Sequence, residues 1–153
     1  MKMNAAGLAL LQGFESCRLH AYLDGGGVPT IGWGHVHGVK MGDTMTQFEA
    51  DETLSMDLQD REATLTALLN GVPTSSNEFS ALLCLAFNIG FGNPNHLPKP
   101  IPGLRTSTVL KRHCLGNHLG ASKAFVLWNK VHGVVEAGLT RRRVAEAKLY
   151  LLP

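Results

Sequence analysis

The chain has 153 residues, of which 44% are hydrophobic and 17% charged, and its formal net charge is +2. A chain of this length and composition folds as an ordinary globular protein, so we expect residues 1–153 to form a single domain. The small positive charge falls short of that of a nucleic-acid-binding protein, and the apolar runs are too short to span a membrane. We therefore expect no nucleic acid partner, no stable membrane insertion and a monomer.

The N-terminal residues and the cysteines bear on where the chain is made. The N-terminus has one lysine and a short apolar run without a cleavage site, which predicts that there is no signal peptide. Cys17, Cys84 and Cys114 form an odd set without a CxxC pair, so no disulfide framework is expected and buried free thiols are predicted, with one internal bridge as the alternative. Both features favour synthesis in a cytoplasm.

A short helix and a β-hairpin are predicted at the start of the chain. Apolar residues at helical spacing predict a helix over residues 4–16, with Glu15 near its C-terminal end. Two strand-like runs flank the three glycines at 25–27, which is turn chemistry. A hairpin of two or three strands is therefore predicted within residues 21–38, and strand signals are confined to this segment.

Helices and loops are predicted for the rest of the chain. Thr46 and Glu49 have the spacing of a capping box that opens a long helix, and Gly71 and Pro73 end it. The next helix starts with a second capping box and is apolar on most sides, as expected of a core helix. Prolines predict an irregular loop over residues 93–105. Later helical patterns cover residues 107–115, 121–129 and 139–151. The order of elements predicts a mainly helical α+β domain.

Two carboxyl groups near the N-terminus are candidates for catalysis. Hydrolysis of a glycosidic bond needs an acid at the leaving oxygen and a second group that activates water or attacks the sugar. Glu15 and Asp24 lie at the predicted helix exit and hairpin turn, and Thr30 lies on the returning strand, so all three can face one groove. Spacing alone does not decide, because most such pairs are solvated and an Asp before Gly often only forms a turn.

The same residues carry a resemblance to a known family. Residues 13–24, followed by Thr30-Ile31-Gly32-Trp33-Gly34-His35, resemble the active-site segment of the phage lysozymes of glycoside hydrolase family 24. Ser16 departs from the family's usual Gly, and the loop over 93–105 looks like an insertion. Further segments resemble the family's other motifs, namely Phe87-Asn88-Ile89-Gly90, Ser107-Thr108-Val109-Leu110, Phe125-x-x-Trp128 and Arg142-Arg143-x-x-Glu146.

The resemblance implies a lysozyme-like fold and a peptidoglycan substrate. The implied fold has a small sheet-bearing lobe of about residues 1–45, a connecting helix and helical lobe of about 46–153, and the active-site cleft between the lobes. The implied reaction is hydrolysis of the β-1,4 bond between N-acetylmuramic acid and N-acetylglucosamine, with inversion and without a cofactor. Glu15 would be the general acid, and Asp24 and Thr30 would hold the attacking water.

The resemblance also implies a site of action and leaves two alternatives. The protein would act on the bacterial cell wall after the membrane has been permeabilised. One alternative is a catalytically inactive relative that only binds the wall. The other is a hydrolase of chitin-like glycans.

Aromatic and basic residues provide further candidates. Tyr22, Trp33 and His35 are candidate substrate-binding residues, although aromatic residues at such positions more often belong to the core. One of the arginines at 141–143 could reach back to Glu15 as an ion pair, but arginine runs near a helix start are usually solvated, and here we expect them to be solvated or to face the wall.

No metal site is expected from the histidine pattern. His35 and His37, with His20 nearby, form one possible group, and His113 with Cys114 and His118 forms another. Neither group has three or four clear ligands, so we predict no bound metal.

Overall fold

The computed structural model describes residues 1–153 and contains six α-helices, two short 3₁₀-helices and four strands. The α-helices are α1 Ala5–Phe14, α2 Gln47–Leu69, α3 Ser76–Ile89, α4 Thr108–Cys114, α5 His118–Ala124 and α6 Ala137–Leu151. The 3₁₀-helices are Leu104–Thr106 and Phe125–Trp128, and the strands are β1 Arg18–Leu23, β2 Pro29–Gly32, β3 Lys130–Val131 and β4 Val134–Val135. No helix combines the length and apolar character that crossing a bilayer requires.

The residues form two compact units. The small unit comprises residues 11–61, and the helical unit comprises residues 1–10 and 62–153. The boundaries therefore lie inside α1 and inside α2. The resemblance implies a small lobe of about residues 1–45, and this division into lobes stays a prediction; by their contacts, the first ten residues pack within the helical unit.

A two-stranded antiparallel sheet organises the small unit. β1 pairs with β2 so that Tyr22 lies opposite Thr30, and the pairing is irregular between Arg18 and Tyr22. Two isolated bridges, His20 with Thr44 and Ile31 with His35, take the place of a third strand. The predicted hairpin is therefore confirmed in its shorter, two-stranded form.

The capping box at the start of α2 is confirmed. The Thr46 N–H donates to Glu49 Oε2 at 2.7 Å, and the Glu49 N–H donates back to Thr46 Oγ1 at 3.2 Å. The bond from the Thr46 backbone, followed by the one from its hydroxyl, lowers the pKa of Glu49 below its ordinary value. Two otherwise unpaired donors at the helix start are satisfied in this way.

Helix α3 forms the centre of the helical unit. Its N-cap, Ser75, makes a complete capping box with Glu78, and every residue from 79 to 86 is buried. Helix α6 and the 3₁₀-helix 104–106 both pack against it. The sequence-based prediction of a core helix is confirmed.

The proline-rich loop is closed at its base by backbone hydrogen bonds. The N–H groups of Asn93 and Ile101 each donate to the other residue's carbonyl at 2.9 Å. A further hydrogen bond, from the Leu104 N–H to Gly90 O at 3.0 Å, lies beyond this pair on the side away from the loop tip. The loop is therefore anchored to the end of α3, although its prolines predicted only irregular structure.

A second hairpin, β3 with β4, contradicts the prediction that strands are confined to residues 21–38. Lys130 pairs with Val135 and Val131 with Val134. The turn between them uses His132 and Gly133, whose φ angles of 48° and 83° match a tight hairpin turn. Strands of two residues are too short to show an alternating pattern, which is why the sequence did not indicate them.

None of the three cysteines forms a disulfide bond, but they differ in burial. Cys84 is buried in α3, Cys17 is partly buried and Cys114 is exposed. The prediction that all three are buried is therefore wrong for Cys114.

Helix α1 contains two glycines in contrasting surroundings. A Cβ atom on Gly7 would lie 2.5 Å from Ser80 Cβ, because α1 and α3 approach closely at that point. The Asn4 N–H donates to Ser80 Oγ at 3.0 Å and holds the contact. A Cβ atom on Gly13 would meet nothing within 4 Å. The same helix thus has one glycine that packing requires and one that it does not.

We predict opposite effects of alanine at these two positions. Gly7→Ala forces α1 and α3 apart and is expected to destabilise the protein by about 1–3 kcal/mol. Gly13→Ala removes only backbone freedom in a helix and is expected to be neutral or stabilising by up to about 1 kcal/mol. Urea unfolding followed by circular dichroism measures both. Equal stabilities of the two variants would contradict the close approach at Gly7.

Candidate active site

Glu15 lies where the chain leaves α1. Its backbone N–H donates to Leu11 O at 3.0 Å, so the helical hydrogen-bond pattern continues one residue beyond Phe14. Its side chain is partly buried, and β1 begins three positions later at Arg18. The predicted helix exit is therefore present, and the end of α1 fixes the backbone that carries this carboxyl group.

Asp24 organises the turn between β1 and β2. Its Oδ1 atom accepts hydrogen bonds from the N–H groups of Gly26 and Val28, both at 2.8 Å. Its own N–H donates to Val28 O at 3.0 Å. The other carboxylate oxygen, Oδ2, accepts no hydrogen bond from the protein, and the residue is exposed. Asp24 thus forms the turn with one oxygen and leaves the second available to a ligand.

Thr30 is buried on β2, and its hydroxyl has a defined orientation. Thr30 is 3% exposed, and its Oγ1 donates to Val28 O at 2.9 Å. A hydroxyl has one proton and two acceptor lone pairs. Since the proton is used within the protein, Thr30 can offer a bound water molecule only an acceptor.

Val28 joins Asp24 and Thr30 through its backbone. Its N–H binds the Asp24 carboxylate and its carbonyl accepts the Thr30 hydroxyl. Side-chain chemistry gives no hint of this role, because any residue other than proline could supply the same two groups. The only signal in the sequence is the fixed spacing of Asp24 and Thr30 around a glycine-rich turn.

Tyr22 lies next to Thr30 across the strand pair and is covered on one face. It occupies the position opposite Thr30 in the β1–β2 register. The Arg18 guanidinium lies over the Tyr22 ring, 4.2 Å from its centroid, in cation–π geometry. Tyr22 is thus held beside the Asp24 and Thr30 pair, and its binding of substrate stays a prediction.

Trp33 and His35 contact α2. Trp33 Nε1 donates to Asp51 Oδ1 at 2.7 Å. His35 Nδ1 lies 2.9 Å from Asp57 Oδ2, and its Nε2 lies 3.0 Å from the His37 carbonyl oxygen. These contacts fasten the segment after β2 to the long helix. Both residues therefore have a structural role, and contact with substrate stays a prediction for each.

Arg142 and Arg143 are buried, which contradicts the prediction that the arginines are solvated. Arg142 Nε lies 3.1 Å and Arg143 Nη2 2.9 Å from Glu146 Oε1. Arg143 Nη2 also donates to Asn88 Oδ1 at 3.0 Å. Of the three arginines only Arg141 is exposed. A buried carboxylate requires paired charges, and helical spacing supplies both arginines on the face that carries Glu146.

The comparisons with known proteins identify the family. A model of the phage lysozyme family matches residues 12–146, a range that includes Glu15, Asp24 and Thr30. The chain belongs to the phage lysozyme family. The motif resemblance is thereby confirmed.

Individual relatives of this phage lysozyme match over nearly the whole chain. An endolysin of Acyrthosiphon pisum secondary endosymbiont phage 1 is 37% identical and covers 98% of this chain and 98% of its own. The endolysin of Salmonella phage P22 is 36% identical, with 99% of each chain covered. The muramidase domain of SpmX from Asticaccaulis excentricus is 32% identical, with a TM-score of 0.86 and 99% of each chain covered. The predicted mainly helical, lysozyme-like fold is confirmed.

We predict that the two uses of Asp24 in this phage lysozyme can be separated by substitution. Asp24→Asn keeps an oxygen for the N–H groups of Gly26 and Val28, so stability should change by less than about 0.5 kcal/mol. Asp24→Ala removes the acceptor and should cost about 1 kcal/mol. Urea unfolding curves of the two variants measure the difference. If Asp24→Ala is as stable as the parent protein, the turn does not depend on this carboxylate.

Proposed function

We propose that this phage lysozyme hydrolyses the β-1,4 bond between N-acetylmuramic acid and N-acetylglucosamine in bacterial peptidoglycan. One observation carries the proposal. Asp24 and Thr30 both bind the backbone of Val28, and the second carboxylate oxygen of Asp24 accepts no hydrogen bond from the protein. Relatives named as endolysins and a muramidase domain support the substrate. Glu15 is the proposed general acid.

The pair suits the orientation of a water molecule. Asp24 Oδ2 and Thr30 Oγ1 both offer acceptors, so a water between them donates one hydrogen to each. Its lone pair is then directed away from both and towards the sugar. As the water attacks the anomeric carbon, one proton passes to Asp24, the stronger base of the two.

Glu15 completes the reaction by protonating the leaving oxygen. The bond from the anomeric carbon to that oxygen breaks, and the Glu15 proton moves to the departing sugar. Water then restores the proton to Glu15, and Asp24 releases its own. No covalent intermediate forms, so we propose inversion at the anomeric carbon.

The proposed setting follows the sequence-based expectations. The protein is proposed to act as a monomer without a cofactor, with peptidoglycan and not nucleic acid or a membrane as its partner. It is proposed to be made in the bacterial host cytoplasm and to reach the wall after the membrane has been permeabilised.

We predict that Glu15→Gln lowers the rate of peptidoglycan hydrolysis by at least about 10² to 10⁴-fold, which is the usual contribution of general acid catalysis. The fall in turbidity of purified cell walls measures the rate. Glu52→Gln is the matched control, because Glu52 is an exposed glutamate of the same unit and should leave the rate unchanged.

Three other outcomes would overturn parts of the proposal. A near-normal rate for Glu15→Gln would remove the acid assignment. No clearing by either the parent protein or the variant would favour a relative that only binds the wall. Faster release of products from chitin oligomers than from peptidoglycan, measured by mass spectrometry, would favour a hydrolase of chitin-like glycans.

We predict that the α anomer is the first product. Attack by water on the face opposite the leaving group inverts a β bond, and mutarotation then mixes the anomers. Proton NMR of the freshly formed reducing end follows both species with time. If the β anomer appears first, the enzyme retains the configuration, and the proposal that Asp24 and Thr30 hold the attacking water is wrong.

A further inference from the structure

A cluster of metal-ligating side chains lies in the helical unit, whereas Glu15, Asp24 and Thr30 belong to the small unit. Glu78 comes from the first turn of α3, His113 from the last turn of α4 and His118 from the start of α5. One ligand atom from each lies within 4.8 Å of the others. Tyr150, near the end of α6, places its hydroxyl against both imidazoles.

Three of the six distances between the four donor atoms are at or below the separation that a tetrahedral metal site requires. His118 Nδ1 lies 2.6 Å from Glu78 Oε1, and Tyr150 Oη lies 2.6 Å from His113 Nδ1 and 3.3 Å from His118 Nδ1. A tetrahedral zinc ion with bonds of about 2.0–2.2 Å needs donor atoms about 3.3–3.6 Å apart. Lengthening of these three contacts by up to about 1 Å would give the separations that the ion needs.

The ligands are oriented by further hydrogen bonds, as they are in metal sites generally. The second ring nitrogen of His113, Nε2, lies 2.9 Å from Thr74 Oγ1. The second oxygen of Glu78, Oε2, accepts the Ser75 N–H at 2.7 Å. These two bonds hold the outer atoms of both residues and direct His113 Nδ1 and Glu78 Oε1 towards the cluster.

The cluster is buried at His113 and Tyr150 and accessible to an ion at His118. His113 and Tyr150 are 0% and 1% exposed, whereas the His118 side chain is 44% exposed. An ion can therefore reach the donor atoms past His118, and it would then lie against the buried side chains of His113 and Tyr150. Two imidazoles and a carboxylate are donors that suit zinc and its neighbours in the first transition series.

We propose that this cluster binds one divalent ion of the zinc class, with Glu78, His113 and His118 as ligands and the Tyr150 hydroxyl as the fourth donor. The ion would join α3, α4, α5 and α6 at one point and so stabilise the helical unit. It is separate from the proposed hydrolysis, which uses no metal. The sequence-based expectation of no metal considered His113 and His118 without Glu78, which lies on another helix.

The test is a titration of the chelator-treated full chain with zinc chloride. Calorimetry should give one ion per chain, and the unfolding temperature should rise with zinc concentration, because an ion that binds only the folded state stabilises it. Cobalt in place of zinc should give a tetrahedral visible spectrum without a thiolate charge-transfer band. Absence of zinc binding by the parent protein would overturn the proposal.

Matched variants assign the binding to these side chains. His118→Asn should lower zinc affinity at least about tenfold, since even the loss of a residue that hydrogen-bonds to a metal ligand lowers metal affinity about 10–100-fold. His132→Asn removes an exposed imidazole at a turn and should change nothing. Tyr150→Phe should weaken binding while keeping the ring in place, which gives a second measurement if His118→Asn folds poorly.

Two results of the variant series would contradict the site. Equal zinc affinity of His118→Asn and the parent protein would mean that the cluster is only a hydrogen-bond network. Loss of zinc binding in Cys114→Ser, with His118→Asn unaffected, would assign the ion to the exposed thiol of Cys114 instead.

Discussion

The backbone of Val28 is the constraint on which the candidate active site depends. Its N–H and carbonyl hold the carboxylate of Asp24 and the hydroxyl of Thr30 within one short turn. The turn requires one residue in the left-handed backbone conformation, which glycine adopts without strain. Gly27, with a φ of 77°, is that residue. The arrangement of the proposed catalytic pair therefore follows from local turn geometry, and the turn-forming role of Asp24 and its proposed chemical role do not exclude each other.

A second constraint operates in the helical unit, where charge is buried. Glu146 is fully buried and is paired with Arg142 and Arg143, and Arg143 also binds Asn88 on α3. A buried carboxylate would be costly without such partners. The network joins α6 to α3 at two of the motifs that first suggested the family. In this unit the motif residues are explained by packing and charge pairing.

The two polar clusters thus belong to different units, and each depends on a different kind of contact. In the small unit, Asp24 and Thr30 stay near the turn and one carboxylate oxygen remains open to a ligand. In the helical unit, His113 and Tyr150 are enclosed by helices that meet from distant parts of the chain. The first cluster depends on a few consecutive residues, and the second depends on the packing of four helices.

The sequence by itself determined the features that arise within a few residues of the chain. Both capping boxes, the buried face of α3 and the hairpin that carries Asp24 and Thr30 could be predicted, because hydrogen bonds and hydrophobic periodicity act over three or four positions. The motif spacing was sufficient for the family.

Only the tertiary structure decided which distant residues meet. It buried Arg142 and Arg143, which a local charge pattern predicts to be solvated, and it brought Glu78 to His113 and His118. It also placed the first ten residues in the helical unit and closed the proline-rich loop through Asn93 and Ile101. These contacts depend on how whole helices pack, and packing is a property of surfaces assembled from separate segments, which no short stretch of sequence contains.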